Sequence, residues 1–141
     1  MEIGRLSTDF ELPDKDGINH KLSDYLGKGR YVILDFWASW CFGCRLEIPH
    51  LKKIYEKYHE RGLDYVLVSI DADRNAWLKA IEKDKSEDLG IHLIDNKSIT
   101  RKLYGYPSIP ITLLIHPDGI IVGNDMRGKR LDDKLSEIFD I

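Results

Sequence analysis

The chain contains two cysteines, Cys41 and Cys44, which are separated by two residues. They follow a hydrophobic run of strand length and stand at the start of a segment with helical periodicity. Such a pair is typical of a reversible dithiol/disulfide couple, because the free N–H groups of a first helical turn stabilise a thiolate. Two other interpretations remain open, part of a zinc site and two inert core cysteines. A structural zinc ion normally has four ligands, and no second C-x-x-C or nearby cysteine and histidine set completes them.

Two carboxylates lie near these cysteines in the sequence. Asp35 interrupts the apolar run that precedes them, and a buried carboxylate is costly unless it stays protonated or has a function. Its alternative is an aspartate at the edge of a strand that caps a turn. Glu47 follows Cys44 by three residues and is therefore on the same face of the expected helix. Alternatively, Glu47 is exposed or pairs with Arg45. If both carboxylates approach the cysteines, their titrations are coupled.

Strand-like and helix-like segments alternate along the chain, and they must position these side chains. An apolar run over residues 31–37 is typical of a central strand that is covered on both faces. The pair Asp16-Gly17 between short apolar runs predicts an N-terminal hairpin. Further strands are predicted at 64–70, 91–94, 111–115 and 120–122, and helices at 41–61, after 73, at 95–104 and around 131–138. Pro49 is expected to kink the first helix. This order predicts an α/β fold in which helices flank a mixed β-sheet.

The composition argues against several classes of function. A chain of 141 residues, with 43% hydrophobic and 32% charged residues, is expected to form one soluble domain. The formal net charge of -3 gives no electrostatic reason to expect nucleic acid as a partner. No run reaches the roughly 18 apolar residues of a transmembrane helix. The first residues contain no hydrophobic core of a secretory signal. We therefore expect neither a transmembrane segment nor a leader in this chain.

Three segments carry a combined signature. Residues 36–49 read FWASWCFGCRLEIP, residues 9–28 read DFELPDKDGINHKLSDYLGK, and residues 104–119 read YGYPSIPITLLIHPDG. The first segment resembles the active-site motif of the thioredoxin superfamily, in its TlpA-like and ResA-like branch, which is related to the AhpC/TSA redoxins. The second resembles an N-terminal segment that this branch shares with peroxiredoxins, and the third is similar to the cis-proline loop and the strand after it.

The resemblance implies a thioredoxin-like fold, with a central mixed sheet flanked by helices, an N-terminal hairpin and an insertion that contains a helix. It implies a single domain over residues 1–141, with the core at about 30–141 and the hairpin extension at about 8–29. It implies a thiol-disulfide oxidoreductase, more narrowly a protein-disulfide reductase, that uses the Cys41–Cys44 disulfide and no metal or other cofactor. Its partners would be protein thiols and disulfides and an upstream thiol-disulfide donor. The chain would be a monomer of the periplasm or cell envelope, and the cytoplasm is the alternative location.

The chemistry assigns roles to four side chains. Cys41, at the helix start, is expected to attack the substrate disulfide, and the more shielded Cys44 is expected to resolve the mixed disulfide. By the resemblance, Asp35 accepts and donates the proton of Cys44, and Glu47 modulates the chemistry of the pair.

Four further residues are expected to bind the substrate. The resemblance implies that the Ile109–Pro110 bond is cis and that the backbone of Ile109 lies opposite Cys41. An extended substrate could then pair with this backbone in the manner of a β-strand. Trp40 and Phe42 are expected to form an apolar surface beside the attacking sulfur.

The sequence departs from the family pattern at Phe42-Gly43, because the branch commonly has proline just before the second cysteine. Glycine loosens the first helical turn, and the dipeptide tunes the reduction potential, so the direction of electron flow stays open. Two other functions remain as alternatives. A thiol peroxidase shares the N-terminal segment, but neither cysteine fits the P-x-x-x-T/S-x-x-C pattern. A non-catalytic interaction domain would need neither the cysteines nor Asp35, and this chain has all three.

Overall fold

The fold, given by a computed structural model that describes residues 2–140, is built around one five-stranded sheet and a separate hairpin. The hairpin consists of β1 (Glu11–Pro13) and β2 (Asn19–Lys21), and a 3₁₀ helix (Leu22–Tyr25) follows it. The strands of the main sheet are β3 (Tyr31–Trp37), β4 (Leu63–Ser69), β5 (Ile91–Ile94), β6 (Ile111–Ile115) and β7 (Ile121–Gly123). The helices are α1 (Phe42–Leu46), α2 (Ile48–Gly62), α3 (Arg74–Lys83), α4 (Ile99–Tyr104) and α5 (Gly128–Phe139).

The strands of the main sheet are ordered β5-β4-β3-β6-β7, so β3 lies in the middle. Strands β3, β4 and β5 are parallel, and β6 pairs antiparallel with both β3 and β7. Every residue of β3 after Tyr31 is buried, because paired strands lie on both sides of β3 and apolar side chains cover both of its faces. The mixed sheet flanked by helices is thus confirmed. Helix α3 lies between β4 and β5, where the resemblance implies an insertion.

The main sheet separates two apolar cores. The first contains both cysteines, Trp37 and buried residues of α2, α3 and α5. The second contains Phe36, Leu12 of the hairpin and Tyr104 of α4. Because successive side chains of a strand point to opposite faces, Asp35 shares the face of Trp37 and the cysteines. The alternation within β3 therefore directs the carboxyl toward the side of the sheet where the disulfide lies.

The segment at 41–61 is two helices, and the expectation of one kinked helix is wrong. Helix α1 ends at Leu46 and α2 begins at Ile48, with Glu47 between them at φ -78° and ψ -16°. Pro49 lies in the first turn of α2. A proline is tolerated there because the N–H groups of a first turn have no partner within the helix. Pro49 therefore helps to start a second helix, and Glu47 occupies the joint.

The helix predicted at 95–104 begins later, at Ile99. The carboxylate of Asp95 accepts hydrogen bonds from the backbone N–H groups of Ile99, at 2.9 Å, and Thr100, at 2.8 Å. Asp95 thus precedes the helix and satisfies N–H groups of its first turn instead of belonging to it. The 3₁₀ helix after the hairpin is a further element that was not predicted.

Candidate active site

Cys41 and Cys44 form a disulfide at the start of α1, with their Cα atoms 5.3 Å apart. Cys41 is the N-cap residue of α1, and its Sγ accepts a hydrogen bond of 3.2 Å from the backbone N–H of Cys44. A donor to sulfur favours the charged form of a thiol. Cys41 is 9% exposed and Cys44 is 4% exposed. Both the hydrogen bond and the exposure distinguish Cys41 as the sulfur better suited to attack.

The loop before Cys41 is held through all three polar groups of Ser39. The N–H and Oγ of Ser39 donate to the carboxylate of Asp71, at 2.9 and 2.6 Å. The carbonyl of Ser39 accepts from Nη1 of Arg45 at 3.1 Å. Sequence reasoning missed Ser39 and Asp71. The available signal was the place of Asp71 just after β4, because the carboxyl ends of adjacent parallel strands meet at one edge of the sheet.

Arg45 forms a bidentate ion pair with Asp84, just after the end of α3. Its Nε and Nη2 donate to the two carboxylate oxygens, each at 2.8 Å. This hydrogen bonding and the charge of Asp84 raise the pKa of Arg45. The alternative in which Glu47 pairs with Arg45 is therefore wrong, and Arg45 instead connects α1 to the end of the insertion helix α3.

Asp35 is buried in the middle of β3, so the alternative of an edge aspartate that caps a turn is wrong. Oγ1 of Thr112, on β6, donates a hydrogen bond of 3.3 Å to Oδ1 of Asp35. Burial raises the pKa of Asp35 to about 7, and the nearby charge of Glu47 adds to this rise. The hydrogen bond from Thr112 and the charge of Arg127 act in the opposite direction. Asp35 can therefore take up or release a proton near neutral pH.

Glu47 projects from the joint between α1 and α2. Its Oε2 is buried and makes no hydrogen bond within residues 2–140. An unpartnered buried carboxylate oxygen is costly when charged. The charge of Glu47 also adds to the rise in the pKa of Asp35, so the two carboxyls interact electrostatically. The structure therefore brings Asp35 and Glu47 to one region, next to the disulfide-bearing helix.

The loop before β6 approaches the same edge of the sheet. The Ile109–Pro110 bond is cis. Ile111, the next residue, pairs with Phe36 near the end of β3, and β3 leads directly into the loop that carries Cys41. Ile109 packs against the apolar core that contains both cysteines. The structure thus places this loop at the edge of the sheet where the disulfide-bearing loop begins.

Large apolar side chains flank Cys41 on the surface. Trp40 is 67% exposed and Phe42 is 76% exposed, whereas Trp37 is buried in the core.

Within residues 2–140, no group of three or more histidine, cysteine or acidic side chains is arranged to hold a metal ion. In that same part of the chain, no helix has both the length and the apolar character needed to span a bilayer.

Comparison with known proteins identifies similar sequences and structures. The sequence model of the AhpC/TSA family matches residues 3–123. The chain is 33% identical, over 138 residues, to the thiol-disulfide oxidoreductase ResA of Bacillus thuringiensis subsp. konkukian. This alignment covers 97% of the present chain and 76% of the ResA chain. The thioredoxin domain of a thiol-disulfide oxidoreductase from Bacteroides vulgatus superposes with a TM-score of 0.90 at 30% identity, over 99% of both chains. A thiol:disulfide interchange protein from Bacteroides sp. superposes with a TM-score of 0.87 at 30% identity, over 100% of this chain and 92% of that one. These similarities confirm the thioredoxin-like fold.

Proposed function

The chain belongs to the AhpC/TSA family, as a TlpA/ResA-like member of the thioredoxin superfamily, and we propose that it reduces protein disulfides in the bacterial cell envelope. It is a thiol-disulfide oxidoreductase, as its relatives and its Cys41–Cys44 disulfide indicate. The observation that carries the thiol-disulfide chemistry is Asp35, a buried carboxyl with a near-neutral pKa on the face of the sheet that holds the cysteines. The reductive direction rests on the resemblance to the TlpA-like and ResA-like branch. The envelope location rests on the resemblance to TlpA-like and ResA-like proteins.

The reaction proceeds in two exchanges. The thiolate of Cys41 attacks one sulfur of the substrate disulfide, forms a mixed disulfide and releases the other substrate sulfur as a thiolate that takes up a proton. Cys44 then loses its proton and attacks Sγ of Cys41, which closes the Cys41–Cys44 disulfide and releases the second substrate thiol. Two electrons pass from the enzyme to the substrate. An upstream dithiol donor of the same chemical class restores the reduced pair.

Asp35 and Glu47 act on the second exchange. A thiol must lose its proton to attack, and a carboxyl with a pKa near 7 can accept that proton at neutral pH. Glu47 assists by raising the pKa of Asp35, which brings it closer to that of an unperturbed thiol. The roles of both carboxyls are part of the proposal.

The substrate lies along the surface formed by Trp40, Phe42, Ile109 and Pro110. Trp40 and Phe42, the sequence neighbours of Cys41, supply exposed apolar area. The backbone of Ile109 is placed to pair with an extended segment of the substrate, the mode by which a chain adds to a strand. The support is the approach of this loop to the end of β3, where the disulfide-bearing loop begins.

The hairpin and the core work as one domain over residues 1–141, and the chain acts as a monomer. The support for one domain is packing, because Phe10 and Leu12 of the hairpin segment share an apolar core with Phe36 of the central strand.

Reduction of insulin tests the activity. With dithiothreitol as donor, the protein should accelerate insulin reduction, Cys41→Ala should abolish this acceleration, and Cys44→Ala should accumulate a mixed disulfide that mass spectrometry detects. A wild-type protein that exchanges no disulfide, or a Cys41→Ala variant with the wild-type rate, would contradict the proposal. Rapid peroxide consumption with a thiol donor would favour the peroxidase alternative.

The reduction potential of the Cys41–Cys44 couple tests the direction. If the protein is a reductant, the reduction potential of this couple should lie well below that of the glutathione pool, about -240 mV. A potential near -120 mV, which is typical of a strong oxidant, would reverse the proposed direction. Fractionation of cells that produce the native protein tests the location. Recovery of the protein in the cytoplasmic fraction would contradict the proposed location in the cell envelope.

A further inference from the structure

Three large apolar side chains are exposed within seven residues around Cys41. Trp40, Phe42 and Leu46 are 67%, 76% and 62% exposed, respectively. Phe42 and Leu46 are four residues apart on α1, so they lie on the same face of the helix. A contiguous apolar area on the surface of a soluble domain is typical of a site of interaction. This area adjoins the sulfur that a substrate must reach.

The three side chains form one wall of a cleft, which we call the α1–α3 cleft. Its volume is about 420 Å³, which falls within the range of sites that hold a side chain or small ligand. The cleft is lined mainly by Trp40, Phe42, Arg45, Leu46, Lys83 and Asp84. Its opposite wall is the C-terminal end of the insertion helix α3. Both sequence neighbours of Cys41 therefore line this cleft.

The floor of the cleft is held by the ion pair between Arg45 and Asp84. Both oxygens of Asp84 are hydrogen bonded to the guanidinium, and Nζ of Lys52 donates to the backbone carbonyl of Asp84 at 2.6 Å. Because the two charges neutralise each other, the floor does not repel an apolar group as strongly as a lone charge would. The same contacts fix the distance between α1 and α3. The cleft is thus formed before any substrate arrives, which lowers the entropic cost of binding.

We propose that the α1–α3 cleft binds a bulky apolar side chain, aromatic or branched aliphatic, that stands one or two residues from the reacting cysteine of a protein substrate. The proposal rests on the proposed reductase function and names the substrates that it selects. An extended substrate advances about 3.3 Å per residue, and α1 advances about 1.5 Å per residue. One or two substrate residues therefore span the distance from Cys41 to the middle of the cleft. A substrate with a small or polar residue there leaves the cleft unfilled.

The rim of the cleft adds a charge preference. Lys83 is exposed and makes no ion pair within residues 2–140, whereas Arg45 and Asp84 neutralise each other. The edge next to α3 therefore has an excess positive charge. A substrate with an acidic residue beyond its apolar one is expected to react faster than a basic counterpart, and salt should reduce the difference.

Single-cysteine peptides in mixed disulfide with glutathione test the proposal. Five peptides differ only near the cysteine, with phenylalanine at one of the four positions within two residues on either side, or with alanine at all four. The rate constant for reduction by the pre-reduced protein is measured under single-turnover conditions. At least one phenylalanine peptide should react about tenfold faster than the alanine peptide, since burial of an aromatic side chain contributes at least that factor.

Three variants test where the preference arises. Leu46→Ser should bring the ratio of the two rate constants close to one, and the ratio cancels any effect of the variant on the intrinsic reactivity of the cysteines. Ile18→Ser is the matched control, because Ile18 is 59% exposed in the hairpin turn and does not line the cleft. It should retain the full ratio. Lys83→Glu should reverse the preference between acidic and basic peptides.

The possible failures are distinguishable. If the rate constants with which the wild-type protein reduces the five peptides agree within a factor of about two, the cleft proposal is overturned and the reductase function stands. If Leu46→Ser keeps the wild-type ratio, the apolar residue binds elsewhere and the proposal is also overturned. If the protein reduces none of the peptides and no insulin, the proposed function itself fails. Circular dichroism of the variants verifies that each is folded.

Discussion

The backbone N–H of Cys44 donates a hydrogen bond to Sγ of Cys41 across 3.2 Å. The donor is in the first turn of α1, and Cys41 caps this helix, so the contact follows from the two-residue spacing of the pair. A thiolate at Cys41 gains more from this donor than a neutral thiol does, because hydrogen bonds to charged groups are stronger. Both side chains belong to the same core cluster, but Cys44 is the less exposed, at 4% against 9% for Cys41.

We predict that Cys41 is alkylated first when the reduced protein meets limiting iodoacetamide at neutral pH. The expected excess over Cys44 is at least tenfold, given that thiolate fraction and access both favour Cys41. Peptide mapping by mass spectrometry measures the two yields. Equal labelling, or preferential labelling of Cys44, would contradict the assigned roles of attacker and resolver.

We predict that Asp35→Asn removes a pH dependence of stability. The pKa of Asp35 is about 7 in the folded protein and lies near 3.8 when the chain is unfolded, so the folded state holds the extra proton between these values. Stability should therefore fall as pH rises from about 4 to about 7, and level off above that. Replacement by neutral asparagine should leave stability at pH 4 similar and raise the free energy of unfolding at pH 8 by roughly 2 to 4 kcal/mol.

Denaturant titrations of the oxidised protein between pH 4 and pH 8 measure this difference. Glu60→Asn, at an exposed position of α2, is the control and should follow the wild-type curve. Parallel curves for Asp35→Asn and wild type would show that Asp35 does not retain its proton in the folded state.

We predict that Glu47→Gln lowers the pKa of Asp35. The charge of Glu47 contributes to the raised pKa, and a neutral amide removes this contribution. The titration of the Asp35 carboxyl, followed by carbon NMR, should move to lower pH, and the pH profile of insulin reduction should move in the same direction. Glu60→Gln, on the exposed face of α2, should move neither. An unchanged Asp35 titration in Glu47→Gln would mean that the two carboxyls do not interact.

We predict that Arg45→Met destabilises the protein by about 1 to 3 kcal/mol, because it leaves the half-buried Asp84 unpaired and the Ser39 carbonyl without its donor. Urea unfolding at neutral pH measures the loss. In Arg45→Met/Asp84→Asn, part of the loss should be recovered, since no charge is left without a partner. Lys129→Met removes the exposed pair with Asp133 and should destabilise the protein much less, because exposed ion pairs contribute little to stability. Equal losses of stability in Arg45→Met and Lys129→Met would contradict a structural role for the Arg45–Asp84 ion pair that connects α1 to α3.

Most of the elements could be predicted from local patterns. The bounds of β3, β5 and β6 agree with the apolar runs at 31–37, 91–94 and 111–115. Most residues of these runs are buried, so the length of each run follows largely from burial. The division of the helix at Glu47 was missed, because proline is compatible with both a kink and a new helix start. Which of these occurs depends on how the residues around Pro49 pack.

The thiol-disulfide chemistry of the protein could be predicted from local sequence, since a C-x-x-C pair after a buried strand and before a helix needs only local geometry. The sequence also indicated that Asp35 is unusual, because a charge in an apolar strand is visible without a structure. The groups that hold the disulfide-bearing loop in place become visible only in the folded protein. Ser39 meets Asp71 across 32 residues of chain, and Arg45 meets Asp84 across 39. No local pattern encodes such contacts, because they arise only when the ends of neighbouring strands and the insertion helix converge beside the disulfide.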